Sequence, residues 1–136
     1  VIAAGTESAQ VITGMDLFPT LVHLGGARVP SDRPIDGVDI AAVFTGGKLK
    51  NRTLFWAMPT DSEVEYVVRE GPWKLLSDSD LRSIALFNLE SDPYEFFNLV
   101  QKELAVLKKL ERKMVEVIES ISTDPIRTSH VLPKDL

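Results

Sequence analysis

Apolar residues recur along this chain in two rhythms, and the change from one to the other divides it. Leu17, Leu21 and Leu24 are spaced by four and three positions, which sets them on one face of a short helix lying between Asp16 and Gly26. Asp16 is placed to cap that helix. Pro19 falls in the first turn, where its missing N–H costs nothing, and Gly25-Gly26 supplies a left-handed stop. The three leucines are then expected to share a buried face. From Ala27 to Lys50 the period is broken by Pro30, Pro34, Asp36-Gly37 and Gly46-Gly47. That composition predicts a long irregular connection with one helical turn near Ile40 to Phe44.

Beyond it the rhythm becomes that of strands. Thr53 to Met58 and Val64 to Arg69 are rich in β-forming residues and are separated by a turn at Pro59 to Asp61. Glu70-Gly71-Pro72 marks a tight reversal before Trp73 to Leu76, with Trp73 expected to pack inward and Lys74 to stay outside. A fourth strand, Ile84 to Leu89, follows the polar Ser77 to Ser83 turn and is stopped by Asp92-Pro93. The helical period then returns in Leu107, Leu110, Met114, Val117 and Ile121, which predicts an amphipathic helix capped by Asn98 and running to about Ser122. The tail from Thr123 to Leu136 contains Pro125 and Pro133 and keeps no period, so it is expected to extend over the domain or fray. The fold class is α+β: a small four-stranded antiparallel sheet packed by a long C-terminal helix, preceded by a short helix and a long loop.

Composition narrows the function. The chain has 136 residues, 44% hydrophobic and 26% charged, with a formal net charge of −5, a balance suited to a packed domain and unsuited to displacing counterions from nucleic acid. No apolar run approaches the roughly 20 residues of a membrane helix, and Val1 to Ala4 are too short and uncharged for a signal peptide. There is no cysteine, which excludes disulfides and thiolate metal sites and leaves the compartment open.

Several chemical motifs fail on counting. Gly47-Lys48 suggests a phosphate loop, but Ala42 stands where its first glycine belongs and Leu49 where a Ser or Thr must hold magnesium. Asp78 and Asp80 open like a calcium loop, but Arg82, Ser83 and Leu89 occupy the fifth ligand, turn glycine and closing glutamate positions. His23 and His130 are the only histidines, too few for a zinc site. Asn51-Arg52-Thr53 fits a glycosylation acceptor, which matters only in a eukaryotic secretory setting. Lys108, Lys109, Arg112 and Lys113 are interrupted by Glu111 and read as a solvated helix face. Asp61, Glu63 and Glu65 cluster around the first strand turn and would do acid–base chemistry only if buried.

The order of signals is more specific than any of them. Asp16-Leu17-Phe18-Pro19-Thr20-Leu21 with Leu24-Gly25-Gly26, then Asp36-Gly37-Val38-Asp39-Ile40, resembles the segment that follows the catalytic core of formylglycine-dependent sulfatases. Arg52 to Trp56, Val67-Val68-Arg69-Glu70-Gly71-Pro72-Trp73-Lys74-Leu75, and Leu86 to Leu99 with its Asp92-Pro93-Tyr94-Glu95-Phe96-Phe97-Asn98 turn continue the pattern in order. The resemblance implies that residues 1–47 are the trailing segment of a larger α/β domain and 48–136 the C-terminal subdomain.

In that family a Cys or Ser in a Cys/Ser-x-Pro-x-Arg motif becomes formylglycine and acts beside a bound calcium. Val29-Pro30-Ser31-Asp32-Arg33 is a decoy, with Arg28 at the nucleophile position and Asp32 at the Arg position. The resemblance therefore implies that the formylglycine, the calcium ligands and the sulfate-holding Lys and His precede this segment, that no cofactor belongs to it, and that it is inactive alone. Its expected partner is the sulfatase N-terminal domain, with a homodimer through the exposed docking surface as another possibility, no nucleic acid and no membrane. A periplasmic or secreted location is implied as well. Trp56, Asp61, Glu63 and Glu65 are the candidates for contacting substrate at the pocket mouth. Two other readings stay open: a non-catalytic interaction module derived from this subdomain, and a distinct hydrolase using the turn carboxylates.

Overall fold

A computed structural model describes residues 2–59 and 64–123. Asp61, Glu63 and the tail beyond Thr123 lie outside the described residues. The chain forms two compact units, Val1–Lys50 and Asn51–Leu136.

In the first unit a 3-10 turn at Gly14–Asp16 runs into helix α1, Leu17–Leu24. The helix ends as its glycines suggest. Gly26 takes a φ of +72°, while the Gly26 and Ala27 N–H groups donate to the His23 and Val22 carbonyls at 2.9 and 3.0 Å, closing a Schellman motif. Its start differs from expectation. The Asp16 carboxylate does not cap the helix; it accepts from the Thr13 N–H at 2.7 Å and the Val38 N–H at 2.9 Å. Asp16 is wholly buried, so its charge is spent on tying the 36–40 segment to the helix start. Thr20 repeats the device: its hydroxyl donates to the Asp16 carbonyl at 2.6 Å and accepts from the Ile40 N–H at 3.0 Å. Gly37 fits this seam because a Cβ there would overlap the Met15 carbonyl.

These polar ties turn the helix the opposite way from its leucine stripe. Pro19 and Thr20 are its buried residues, whereas Leu17, Leu21 and Leu24 are 51%, 64% and 59% exposed. The expected turn near Ile40 is a 3-10 turn at Ala41–Thr45, ended by Gly46 at φ +85°.

The second unit is a four-stranded antiparallel sheet in the order β1 (Thr53–Pro59), β2 (Val64–Glu70), β3 (Trp73–Ser77) and β4 (Ser83–Asn88). Gly71, at φ +58°, supplies the left-handed position that the two-residue β2–β3 hairpin requires. Helix α2, Leu104–Thr123, packs on one sheet face, where Val68, Leu75 and Leu86 meet Leu110 and Met114. Trp73 packs against this core, and Phe55 stacks on Tyr66 with ring centroids 5.9 Å apart. Each fully buried aliphatic side chain contributes about 1.5–3 kcal/mol, so this five-residue cluster dominates the unit's stability. Leu54, Val67, Ala85 and Phe87 on the other face are buried too, which explains unbroken apolar runs such as Ala85-Leu86-Phe87 in place of strict alternation.

The long helix begins five residues later than a cap at Asn98 would start it. Asn98 is not its cap. The Asn98 side chain accepts from the Leu86 N–H at 3.1 Å and the Val100 N–H at 3.0 Å, and donates to the Ile84 carbonyl at 3.0 Å. With the Leu99 N–H on the Leu86 carbonyl at 2.7 Å, the 98–99 segment covers the outer edge of β4.

Candidate functional site

The sheet register decides which expected site residues can act together. Trp56 lies opposite Val67 and Met58 opposite Glu65, so all four side chains belong to one sheet face. Trp56 and Met58 are 38% and 42% exposed, and Glu65 is half-buried. Among the described residues, the end of β1 and the start of β2 thus offer an indole, a thioether and one carboxylate. Such a patch can stack on and orient a ligand; dividing acid and base roles takes a second carboxylate. Asp61 and Glu63, the other candidates, fall outside the described residues.

The motif residues of 92–98 meet in a different place. Asp92 is buried and accepts from the Phe96 and Phe97 N–H groups at 3.1 and 2.8 Å. That bends the chain so that Glu95, at φ +59°, reaches the Lys74 ammonium through both oxygens, at 2.7 and 2.8 Å. Lys74 is therefore neutralised at a partly buried position and not held in solvent as expected. Ser91 and Pro93 share the spacing of the formylglycine motif, but Glu95 stands at its arginine position and is engaged with Lys74.

The one loop that opens like a calcium site is filled by its own chain. In the 78–82 loop, one oxygen of Asp78 accepts from the Asp80 and Arg82 N–H groups at 3.1 and 2.8 Å, and the other from the Arg82 guanidinium at 2.7 Å. Burial pushes this carboxyl up, but the Arg82 backbone N–H and guanidinium outweigh it and hold the group below its ordinary value. It serves the loop and leaves no lone pair array for a cation. Among the described residues no three His, Cys, Asp or Glu side chains converge in a metal-holding group. On α2 the basic face is partly spoken for, with Lys109 paired to Glu70, and Lys113 to Glu116 at 3.6 Å.

Two features were invisible in the sequence. His23 Nδ1 pairs with Asp39 at 2.5 Å across 16 positions, with Asp39 itself held by the Ala41 N–H at 2.8 Å. Sequence spacing carries no sign of that contact. Tyr94, Phe96 and Phe97 are 78%, 76% and 69% exposed, although three aromatics in four positions ordinarily signal a core.

No family model matches the sequence. Among curated proteins, N-acetylgalactosamine-6-sulfatase of Canis lupus familiaris is 46% identical over 55 residues, 40% of this chain and 10% of that protein. Arylsulfatase K of Xenopus laevis is 24% identical over 131 residues, 87% of this chain and 24% of that protein. Among solved structures, Ps i-CgsB superposes with a TM-score of 0.70 at 24% identity, over 88% of this chain and 26% of its own. A 2-O GAG sulfatase superposes with a TM-score of 0.59 at 23% identity, over 83% of this chain and 26% of its own. The chain spans about a quarter or less of the length of these proteins.

Proposed function

We propose that this chain, a relative of the sulfatases in sequence and in fold, forms the supporting C-terminal part of a sulfatase whose sulfate-ester hydrolysis is carried out by residues outside these 136. The observation that carries the reading is collinear similarity to two kinds of curated sulfatase, one of them matching over 87% of the chain. The polar groups of its motifs support it further. Asp16, Asp78, Asp92 and Asn98 are all engaged in holding backbone segments together. Formylglycine and calcium belong, in this reading, to the part of the polypeptide outside the chain.

Within that enzyme, Trp56 and Glu65, with Asp61 and Glu63 of the adjoining turn, are proposed to shape substrate access. The activity and its substrate are those of the whole protein. Among the relatives, the name of N-acetylgalactosamine-6-sulfatase and that of one solved structure, a 2-O GAG sulfatase, describe enzymes acting on sulfated sugars, and a sulfated carbohydrate is the substrate class we assign.

The test is the reading frame preceding Val1 together with an assay. A Cys/Ser-x-Pro-x-Arg motif upstream, turnover of a chromogenic aryl sulfate by the full polypeptide and none by the 136-residue chain are expected. Turnover by the chain alone, or an upstream frame encoding no such motif, would overturn the reading and favour the free-standing interaction module. The exposed Leu17, Leu21 and Leu24 stripe is common to both.

A further inference from the structure

The 92–98 turn presents its aromatic residues in a way that neither folding of the unit nor solubility requires. Tyr94, Phe96 and Phe97 are 78%, 76% and 69% exposed, and the Tyr94 and Phe96 rings lie 5.9 Å apart. The backbone beneath them is held from three sides: the buried Asp92 carboxylate takes the Phe96 and Phe97 N–H groups, Glu95 adopts a left-handed φ of +59°, and Glu95 is clamped to Lys74. A non-glycine residue in that conformation is strained, and it persists because its surroundings over-determine it. Rigid presentation of large apolar groups lowers the ordering cost of burying them against a partner.

The surroundings select the kind of partner. The Lys74 and Glu95 charges cancel, and Asp92 is buried on the backbone, so the projecting surface is aromatic and electrically neutral. A chain of net charge −5 with Lys74 engaged in this way is poorly suited to an anionic lipid surface. Three aromatic side chains offer roughly 450–750 Å² in all, short of the roughly 800 Å² per partner that a stable free complex needs. A contact of that size holds best when its partner is already tethered in the same polypeptide, where effective concentration replaces area. Relatives such as arylsulfatase K are about four times as long as the stretch matched here.

We propose that the Tyr94–Phe97 turn is a docking knob that seats in an uncharged, apolar recess on the portion of the sulfatase polypeptide lying outside these 136 residues. This rests on the sulfatase reading above and adds the contact by which the two parts are held. Because the chain has no cysteine, Phe96→Cys and Phe97→Cys each introduce one thiol at a site whose own side chain makes no core contact. Alkylation by iodoacetamide, followed peptide by peptide in a mass spectrometer, should proceed at the rate of a free thiol in the 136-residue chain and at least roughly tenfold more slowly in the full polypeptide. Equal rates in the two contexts would overturn the proposal while leaving the sulfatase reading intact if the full polypeptide still turns over an aryl sulfate. Protection that grows with the concentration of the 136-residue chain would make a second copy the occupant, and protection by phosphatidylserine vesicles would make it a membrane; either overturns the proposal. A full polypeptide without the formylglycine motif would remove the sulfatase reading and this one with it.

Discussion

Replacing Asn98 by serine separates two explanations of the same residue. As a helix cap, Asn and Ser are nearly equivalent, so Asn98→Ser would change stability by a few tenths of a kcal/mol and Asn98→Ala by about 1 kcal/mol. As the clasp on the β4 edge, the shorter serine loses the Leu86 and Ile84 partners and keeps at most the local Val100 N–H. The Leu86 N–H carries most of the effect, because Leu86 is 0% exposed and water cannot replace the lost oxygen at 3.1 Å. An orphaned buried donor costs about 1–3 kcal/mol, while Val100 N–H and Ile84 C=O lie nearer solvent and add little. The expected loss is about 2 kcal/mol for Ser and Ala alike. With a urea slope of about 1–2 kcal/mol per M, the midpoint should fall by roughly 1 M or more. Tryptophan fluorescence reads the right unit, since Trp56 and Trp73 both lie in the sheet. A midpoint for Asn98→Ser within about 0.2 M of the parent, with Asn98→Ala clearly lower, would refute the edge-clasp account and restore the cap.

Other perturbations test other levels of the structure. Leu110→Ala empties a site that is 1% exposed at the centre of the helix–sheet core and should cost about 2–5 kcal/mol in the same urea titration. Gly37→Ala drives a methyl into the Met15 carbonyl; it should loosen the first unit, seen as faster limited proteolysis within residues 1–50, while the tryptophan-reported transition of the sheet unit stays put. Asp78, whose folded pKa lies below its unfolded one, contributes stability that is full above the ordinary aspartate range and is lost as pH falls through the lowered value. Asp78→Asn should therefore weaken the protein at neutral pH and flatten its acid-side stability profile; a variant with the parent's acid-side slope would contradict that assignment.

The sheet was legible because its signals are local. Gly71-Pro72 can only be a reversal, and β-branched and aromatic runs on either side must pair across it. The short helix was legible in position but not in orientation. Periodicity identified Leu17, Leu21 and Leu24 as one face, correctly, but assigned that face to the interior of this chain. What turned the helix was Asp16 and Thr20 reaching 22 and 20 positions ahead to Val38 and Ile40, and no window of neighbouring residues contains such a pairing. The same holds for Asn98. Its position before an apolar helical period is what a cap would have, and its actual partners, Ile84 and Leu86, lie 14 and 12 positions behind it. Long-range use of short polar side chains is the part of this fold that sequence spacing does not carry. Trp56 and Glu65 were named as candidate substrate contacts, with no sign of whether they share a face; the register puts them on one, because Met58 stands opposite Glu65, two positions from Trp56.

Occupied polar groups and exposed apolar ones together bear on what the chain is for. The polar residues of the motifs prove to be occupied: Asp78 by its own loop, Asp92 by the aromatic turn, Lys74 by Glu95, Asn98 by the β4 edge. Large apolar residues prove to be outside: the α1 leucines, which the helical period assigned to the interior, and the Tyr94, Phe96 and Phe97 rings. A catalytic site needs the reverse, polar groups held back from local partners so that a substrate can meet them. An element that completes a larger protein needs this arrangement, with its polar groups settled and its apolar ones waiting for a covering surface. That balance is what the supporting role proposed above calls for, and the proposal predicts that stability and solubility improve when the longer sulfatase polypeptide is used in place of the 136-residue chain.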